Sequence, residues 1–128
     1  MQAEELSHAP LFSQLSVGQR RKMARLMTTV SAAAGTVMTE QGAPGRQFMF
    51  FREGTATVEQ DGQIVAELGS GDFAGELSLL TGEPCNATVT ATSDVVVQVL
   101  NRREFLTMLD YDGAVCREIM ETALKRVQ

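Results

Sequence analysis

The spacing of hydrophobic residues changes twice along the chain and divides it into a helical beginning, a strand-rich middle and a helical end. Residues 4–28 carry apolar side chains at helical spacing, and Ser16 is a suitable N-cap for the main helix of this part. Residues 29–101 contain short runs with a period near two, separated by glycines, which is typical of β-strands. Helical spacing returns after Asn101.

The middle of the chain predicts an antiparallel β architecture. Its expected strands are short and closely spaced, at Thr36–Thr39, Gln47–Phe51, Thr55–Val58, Ile64–Leu68, Ala87–Ala91 and Val95–Leu100. Asp61-Gly62 between two of these runs is a strong hairpin signal. One short helix over Gly75–Leu80 interrupts the strands. This order favours a β-roll, also called a double-stranded β-helix or jelly roll, with helices on its flanks.

Two closing helices are expected after the last strand. Asn101 and Glu104 have the spacing of a capping box, and Asp112-Gly113 separates the first closing helix from the second. The second carries an apolar stripe made of Val115, Ile119, Leu124 and Val127. Its exposed side is a candidate surface for contact with another protein.

Composition limits the class of protein. The 128 residues are 44% hydrophobic and 21% charged, which fits one globular domain over residues 1–128. No apolar run approaches the ~18 residues of a membrane-spanning helix, and the first residues do not form a secretory signal. Cys85 and Cys116 are too few for a disulfide framework, so we expect free thiols and a cytoplasmic location.

The net charge of −5 opposes nucleic-acid binding, which needs a basic surface. The sequence also ends at Gln128 without a helix-turn-helix, so DNA binding is not expected. Basic residues do cluster on the expected first helix, at Arg20, Arg21, Lys22 and Arg25. They fit an anionic partner, although a solvated helix face is the commoner explanation for such a cluster.

Catalytic chemistry has little support in the sequence. His8 is the single histidine, so no Ser-His-Asp or Cys-His pair is indicated. No His, Cys and carboxylate cluster has metal-ligand spacing, and no phosphate-binding P-loop motif is present. We therefore expect neither an enzyme, nor a metal site, nor a resident cofactor.

The stretch from Gly71 to Val89, GDFAGELSLLTGEPCNATV, contains the parts of a site for a small sugar-phosphate. Gly75 allows the backbone to approach a ligand closely, and residues 76–78 present amide groups at a helix start. Glu76 is unusual beside an anion unless it accepts a hydrogen bond, as from a ribose hydroxyl. A turn with a glutamate at the positive end of a helix dipole explains the same residues without a ligand.

With these motifs in view, the chain resembles cyclic nucleotide-binding domains of the type found in the cAMP receptor protein and in protein kinase A regulatory subunits. The resemblance extends over residues 5–126. It rests on Pro10–Ser16, Gly35, Glu40–Gly42, the closing helices and the Gly-Asp-Phe at residues 71–73. The residues that follow, 75–88, resemble the family's phosphate-binding cassette and are called the cassette below. The resemblance implies cAMP or cGMP as ligand. The sugar-phosphate would then lie against Gly75, Glu76, Leu77 and Ser78, with Glu76 on the ribose 2′-hydroxyl.

The same resemblance implies that Cys85, Asn86, Ala87 and Thr88 close around the phosphate and that Val65 lies near the base. Cys85 departs from the family, which has an arginine there. Losing a charged hydrogen bond costs roughly 1.5–3 kcal/mol, and an unpaired buried anion roughly 3–5 kcal/mol. At about 1.4 kcal/mol per decade, cyclic nucleotide affinity should fall by one to more than three orders of magnitude.

The expected function is a small-ligand-sensing regulatory module in which a bound ligand shifts the last helix. Binding of cyclic nucleotides is expected to be weak or absent because of Cys85. The alternative is a ligand-free β-roll that serves as a protein-interaction or dimerisation module. Its partner, another protein or a second copy, would contact the last helix.

Overall fold

The structure is a computed structural model that describes residues 9–111 and 113–126. A 3₁₀ turn at Pro10–Phe12 precedes the first helix. The helices are α1 (Val17–Leu26), α2 (Glu76–Thr81), α3 (Arg102–Tyr111) and α4 (Gly113–Arg126). The strands are β1 (Thr28–Ala32), β2 (Val37–Thr39), β3 (Gln47–Glu53), β4 (Ala56–Gln60), β5 (Gln63–Leu68), β6 (Phe73–Ala74), β7 (Thr88–Ala91) and β8 (Val95–Asn101).

Two four-stranded sheets form the body of the molecule. Within the described residues their strand orders are β1-β8-β3-β6 and β2-β7-β4-β5, and all pairs are antiparallel. The helices pack on the outer face of the first sheet. The predicted β-roll with helices on its flanks is confirmed.

Strand β3 separates two hydrophobic cores. Phe48 and Phe50 face a core shared with the helices, whereas Met49 and Phe51 face a core between the two sheets. Because successive side chains of a strand point to opposite faces, a strand covered on both sides buries consecutive residues. This explains why β3 is a nearly continuous apolar run rather than an alternating one.

Most predicted boundaries agree with the structure within two residues, including the change from helix to strand near Thr28. Helix α1 ends at Leu26, and Thr28 already belongs to β1, where it pairs with Val99. The β-branched run Thr28–Val30 favours a strand, which places the change slightly before the predicted residue 28. Residues 4–8 and Asp112 lie outside the described residues.

Local capping signals are confirmed at both helical ends of the chain. Ser16 and Gln19 form a capping box at α1. At α3, the Asn101 side chain accepts from the Glu104 amide at 2.8 Å, and the Glu104 carboxylate accepts from the Asn101 amide at 2.9 Å. These reciprocal bonds satisfy amide groups that a helix start leaves unpaired.

The prediction that Leu124 belongs to the apolar stripe of the last helix is wrong. Val115 and Ile119 are buried, but the next buried position is Ala123, and Leu124 is 66% exposed. A spacing of four residues keeps the stripe on the side that packs against the core. Val127 lies outside the described residues.

Gly75 gives a direct test of how tightly the cassette packs on β3. Its φ is +92°, and a Cβ there would overlap the carbonyl oxygen of Gln47. Gly62 has a similar φ of +82° but nothing within 4 Å of a Cβ. We expect Gly62→Ala to cost about 1–2 kcal/mol of unfolding free energy. Gly75→Ala should cost more than about 3 kcal/mol, because it adds a backbone clash to the same strain.

Urea denaturation of the two variants measures this difference. Equal losses in both would contradict the close packing of Gly75 against β3.

Candidate ligand-binding site

A cavity of about 280 Å³ lies between the second sheet, α2 and the last turn of α4. The predicted site residues that line it are Val65, Gly75, Glu76, Leu77, Ser78, Cys85, Asn86 and Ala87. Thr88 does not line the cavity. Its hydroxyl accepts a hydrogen bond from the Gln41 amide at 3.0 Å, so it holds the neighbouring turn. Positions distant in sequence therefore meet at one place, and their roles toward a ligand stay predictions.

Glu76 is the most unusual residue of the cavity. It begins α2 directly after the left-handed Gly75, and only 1% of its surface is exposed. Its Oε1 accepts from Arg126 at 2.6 Å, whereas its Oε2 has no hydrogen-bond partner among the described residues. A buried carboxylate oxygen without a donor is costly, so this atom is suited to accept a hydrogen bond from a ligand.

Arg126 ties the last turn of α4 to the cassette. Its Nη1 donates to Glu76 and its Nη2 donates to the carbonyl oxygen of Phe73 at 2.7 Å. The guanidinium also lies over the Phe73 ring, 5.1 Å from its centroid. The position of the last turn of α4 therefore depends on the hydrogen bond between Arg126 and Glu76.

Sequence reasoning missed Arg126. A basic residue in the last turn of a helix is common, because it interacts favourably with the helix dipole. The partner lies 50 residues away in sequence, so no local signal connects the two.

Neutral polar groups surround Cys85. The Ser78 hydroxyl donates to the Cys85 sulfur at 3.6 Å, and Gly45 packs so closely on both that a Cβ there would overlap Ser78. Main-chain bonds hold the loop, since Gly42 N donates to Cys85 O at 2.8 Å and Cys85 N donates to Ala43 O at 2.9 Å. Sequence reasoning missed Gly45 as well.

The cavity has an apolar side and a helical rim. Val65 on β5 is 54% exposed and lines the cavity. Lys125 and Arg126 of α4 also line it. Asn86 donates to the carbonyl oxygen of Arg126 at 3.4 Å, which gives the cassette loop a second contact with the end of α4.

Neither a metal site nor a membrane-spanning helix is found in the part of the chain that the structure describes. There, no three His, Cys, Asp or Glu side chains come together in a group suited to a metal ion. In the same residues no helix has the length and hydrophobicity to cross a membrane. His8 lies outside these residues.

The fold and the cavity have counterparts in known proteins. The family model "Cyclic nucleotide-binding domain" matches residues 29–112. The chain therefore belongs to the cyclic nucleotide-binding domain family.

Two relatives illustrate the range of proteins that contain such a domain. The cAMP-dependent protein kinase regulatory subunit of Hypocrea atroviridis is 36% identical over 81% of this chain and 22% of its own length. A cyclic nucleotide-gated potassium channel of Rhizobium etli is 33% identical over 91% of this chain and 33% of its own length. The chain thus spans between a fifth and a third of these relatives.

Three solved structures from trypanosomes are also similar. The regulatory subunit of a cAMP-independent protein kinase A from Trypanosoma brucei has a TM-score of 0.86 and 27% identity, over 94% of this chain and 44% of that one. A triple mutant of it, with one threonine replaced by arginine, is bound to cAMP in its A site (TM-score 0.83, 29% identity, 94% and 45% coverage). The Trypanosoma cruzi counterpart is bound to guanosine (TM-score 0.82, 27% identity, 94% and 44% coverage).

Removal of the Arg126 side chain tests the ion pair with Glu76. Arg126→Ala leaves a buried carboxylate without its cation, and we expect the free energy of unfolding to fall by about 1.5–3 kcal/mol. The adjacent exposed residue provides the control, since Lys125→Ala should stay within about 0.5 kcal/mol of the parent. Adding Glu76→Gln to Arg126→Ala should recover part of the loss, because a neutral amide needs no cation.

Denaturant titrations of the four proteins measure these values. Equal stabilities of Arg126→Ala and Lys125→Ala would show that Arg126 does not compensate Glu76.

Proposed function

We propose that this chain is a ligand-sensing regulatory module whose cavity binds an uncharged purine nucleoside in preference to a cyclic nucleotide. One observation carries the proposal. The buried Glu76 has an oxygen without a hydrogen-bond partner among the described residues, which could accept from a ribose hydroxyl. Cys85, which the family resemblance assigns to the phosphate, hydrogen-bonds through its sulfur only with the Ser78 hydroxyl among the same residues. The cavity is thus suited to a sugar and poorly suited to an anion.

The cations around the cavity do not replace the missing arginine. The guanidinium of Arg126 is already engaged by Glu76 and by the Phe73 carbonyl. Lys125 is exposed, and an exposed ammonium group is strongly hydrated. Arg46 is exposed and lines an adjoining cavity that shares Cys85. A cyclic phosphate would therefore lose water without gaining a bidentate partner, and its binding would be weak or absent.

The trypanosomal structures also support a nucleoside rather than a cyclic nucleotide as the ligand. All three are regulatory subunits of a cAMP-independent protein kinase A, and the T. cruzi protein holds guanosine. The T. brucei mutant that holds cAMP has gained an arginine. The same mutant has also lost a glutamate and a valine, and its added arginine fits the proposal that a cation favours binding of a cyclic phosphate.

The mechanism follows from the two oxygens of Glu76. A ribose 2′-hydroxyl donates to Oε2 while Arg126 donates to Oε1, so ligand and helix α4 share one carboxylate. Occupancy of the cavity changes the interactions of Arg126 and shifts the last turn of α4. This chain spans only 22–33% of the two curated relatives, in which such a domain is one part of a longer protein.

The proposal is for a binding module without catalytic activity of its own, acting on neither DNA nor a membrane. A cytoplasmic location is proposed as well, supported by the two free cysteines, Cys85 and Cys116.

A ligand-free module that dimerises through α4 is the second candidate function. Leu124 is 66% exposed, and Met120, one turn earlier on the same side, is also exposed. Two such residues at a spacing of four form an apolar strip that suits a second copy of the helix. Light scattering distinguishes this candidate, since it predicts a dimer that Leu124→Glu dissociates.

Titration calorimetry with guanosine, 2′-deoxyguanosine and cGMP tests the proposed ligand class. Guanosine should bind most tightly. Loss of the 2′-hydroxyl removes a hydrogen bond to a charged group and should weaken binding by about 10- to 100-fold. We expect cGMP to bind at least about tenfold more weakly than guanosine, because its phosphate is unpaired. Submicromolar binding of cGMP or cAMP would contradict the proposal.

Restoring the arginine gives the complementary test. Cys85→Arg should raise cGMP affinity by about 10- to 100-fold and reverse the preference over guanosine. Cys85→Gln, which adds length without charge, serves as the matched control and should leave cGMP binding weak. If the parent and Cys85→Arg bind none of these ligands, the ligand-free module remains as the function.

A further inference from the structure

Helices α1 and α3 form a basic face that the ligand site does not use. We define this face by Arg21, Lys22 and Arg25 of α1 and Arg102 and Arg103 of α3, all of which are exposed. The helices pack against each other and run antiparallel. The Gln19 side chain, near the start of α1, donates to the carbonyl oxygen of Tyr111, at the end of α3, at 3.1 Å.

The geometry at the other end of the helices brings the arginines together. Helix α1 leads into β1, whose Thr28 pairs with Val99 of β8, and β8 leads directly into α3. Arg25 and Arg102 therefore lie at the same end of the helix pair. Lys22 lies 5.9 Å from the centre of the Tyr111 ring, near the opposite end of α3. The cations thus extend over the length of both helices.

Charge is strongly segregated in this molecule. Residues 28–101 contain nine acidic residues and two arginines, although the net charge of the whole chain is only −5. Five of the eleven basic residues lie on the basic face. Among the described residues, none of these five forms an ion pair with a carboxylate. A solvated helix face usually mixes both signs of charge, so this one is atypical.

The stability of helix α3 does not explain why arginines occupy positions 102 and 103. They are the first two residues of α3, where the helix dipole favours acidic side chains and disfavours cations. The nearest acid in sequence, Glu104, is occupied with the Asn101 amide as part of the capping box. The two arginines are therefore placed against the local electrostatic preference, as expected for groups that serve an external anion.

We propose that the basic face binds an acidic segment of a partner protein. Four of its five cations are arginines, whose planar guanidinium groups match carboxylates in a bidentate geometry. A bilayer surface requires a broad apolar face for insertion, whereas α1 and α3 expose only Val17 and Leu106 as large apolar residues among those described. Carboxylates at helical spacing, ~5–6 Å apart, match the spacing of Arg21 and Arg25.

Fluorescence anisotropy with a fluorescein-labelled oligo-glutamate of ten residues tests the proposal, with oligo-glutamine of equal length as control probe. The protein should bind oligo-glutamate and not oligo-glutamine. Binding should weaken strongly at ~0.3 M salt, where the screening length is shorter than the ~10 Å found at 0.1 M. The double variant Arg21→Glu with Arg25→Glu should lose at least about tenfold in affinity.

A second variant separates binding from folding. Arg102→Glu with Arg103→Glu places acids where the α3 dipole favours them, so the melting temperature should be unchanged or higher while oligo-glutamate binding is lost. Arg117→Glu with Lys125→Glu is the matched control. It changes the net charge equally on α4 and should alter affinity by less than about twofold.

Equal losses of oligo-glutamate affinity in all three double variants would overturn the proposal, because net charge alone would then determine binding. So would the absence of oligo-glutamate binding to the parent. Tighter binding to vesicles of phosphatidylcholine with phosphatidylserine, reduced by the same α1 and α3 variants, would assign the face to a membrane instead. Self-association that these variants abolish would assign it to a second copy.

Discussion

A carboxylate removed from water must be compensated, and the architecture of the candidate site depends on this constraint. Glu76 is almost fully buried and its compensating cation comes from the far end of the chain. Arg126 reaches it only when the last turn of α4 lies against Phe73 and the cassette. The ion pair thus joins the middle of the chain to the last turn of α4, and the free oxygen of the same carboxylate is what remains for the proposed ligand.

The placement of Glu76 is itself set by backbone geometry. Gly75 adopts a left-handed conformation against the carbonyl oxygen of Gln47, which leaves no room for a side chain. That contact fixes the start of α2 relative to β3, and β3 is held by hydrophobic cores on both of its faces. A strand packed on both faces therefore supports the start of α2, where Glu76 lies.

The parts of this structure that were predictable from sequence are those with local causes. Alternating strands, the capping residues and the Gly75-Glu76 turn each depend on a few neighbouring residues. The change from helix to strand near Thr28 was placed within two residues, because β-branched residues mark it locally. The ion pair of Arg126 and the close packing of Gly45 depend on contacts between distant segments, so no spacing rule reveals them. The exposure of Leu124 likewise depends on how α4 packs.

The loop at Cys85 has a consequence for how ligand preference and the coupling to α4 are related. Its shape depends on main-chain hydrogen bonds to Gly42 and Ala43, so the side chain at this position is not needed to hold the loop. Glu76, on another segment, contacts α4 through Arg126, and the neighbouring Asn86 contacts it through a bond from its own side chain to the Arg126 carbonyl oxygen. Under the proposed function, a substitution at position 85 therefore changes the charge that a ligand meets while these contacts with α4 stay in place. Ligand preference and the coupling to α4 are then separable properties of the domain.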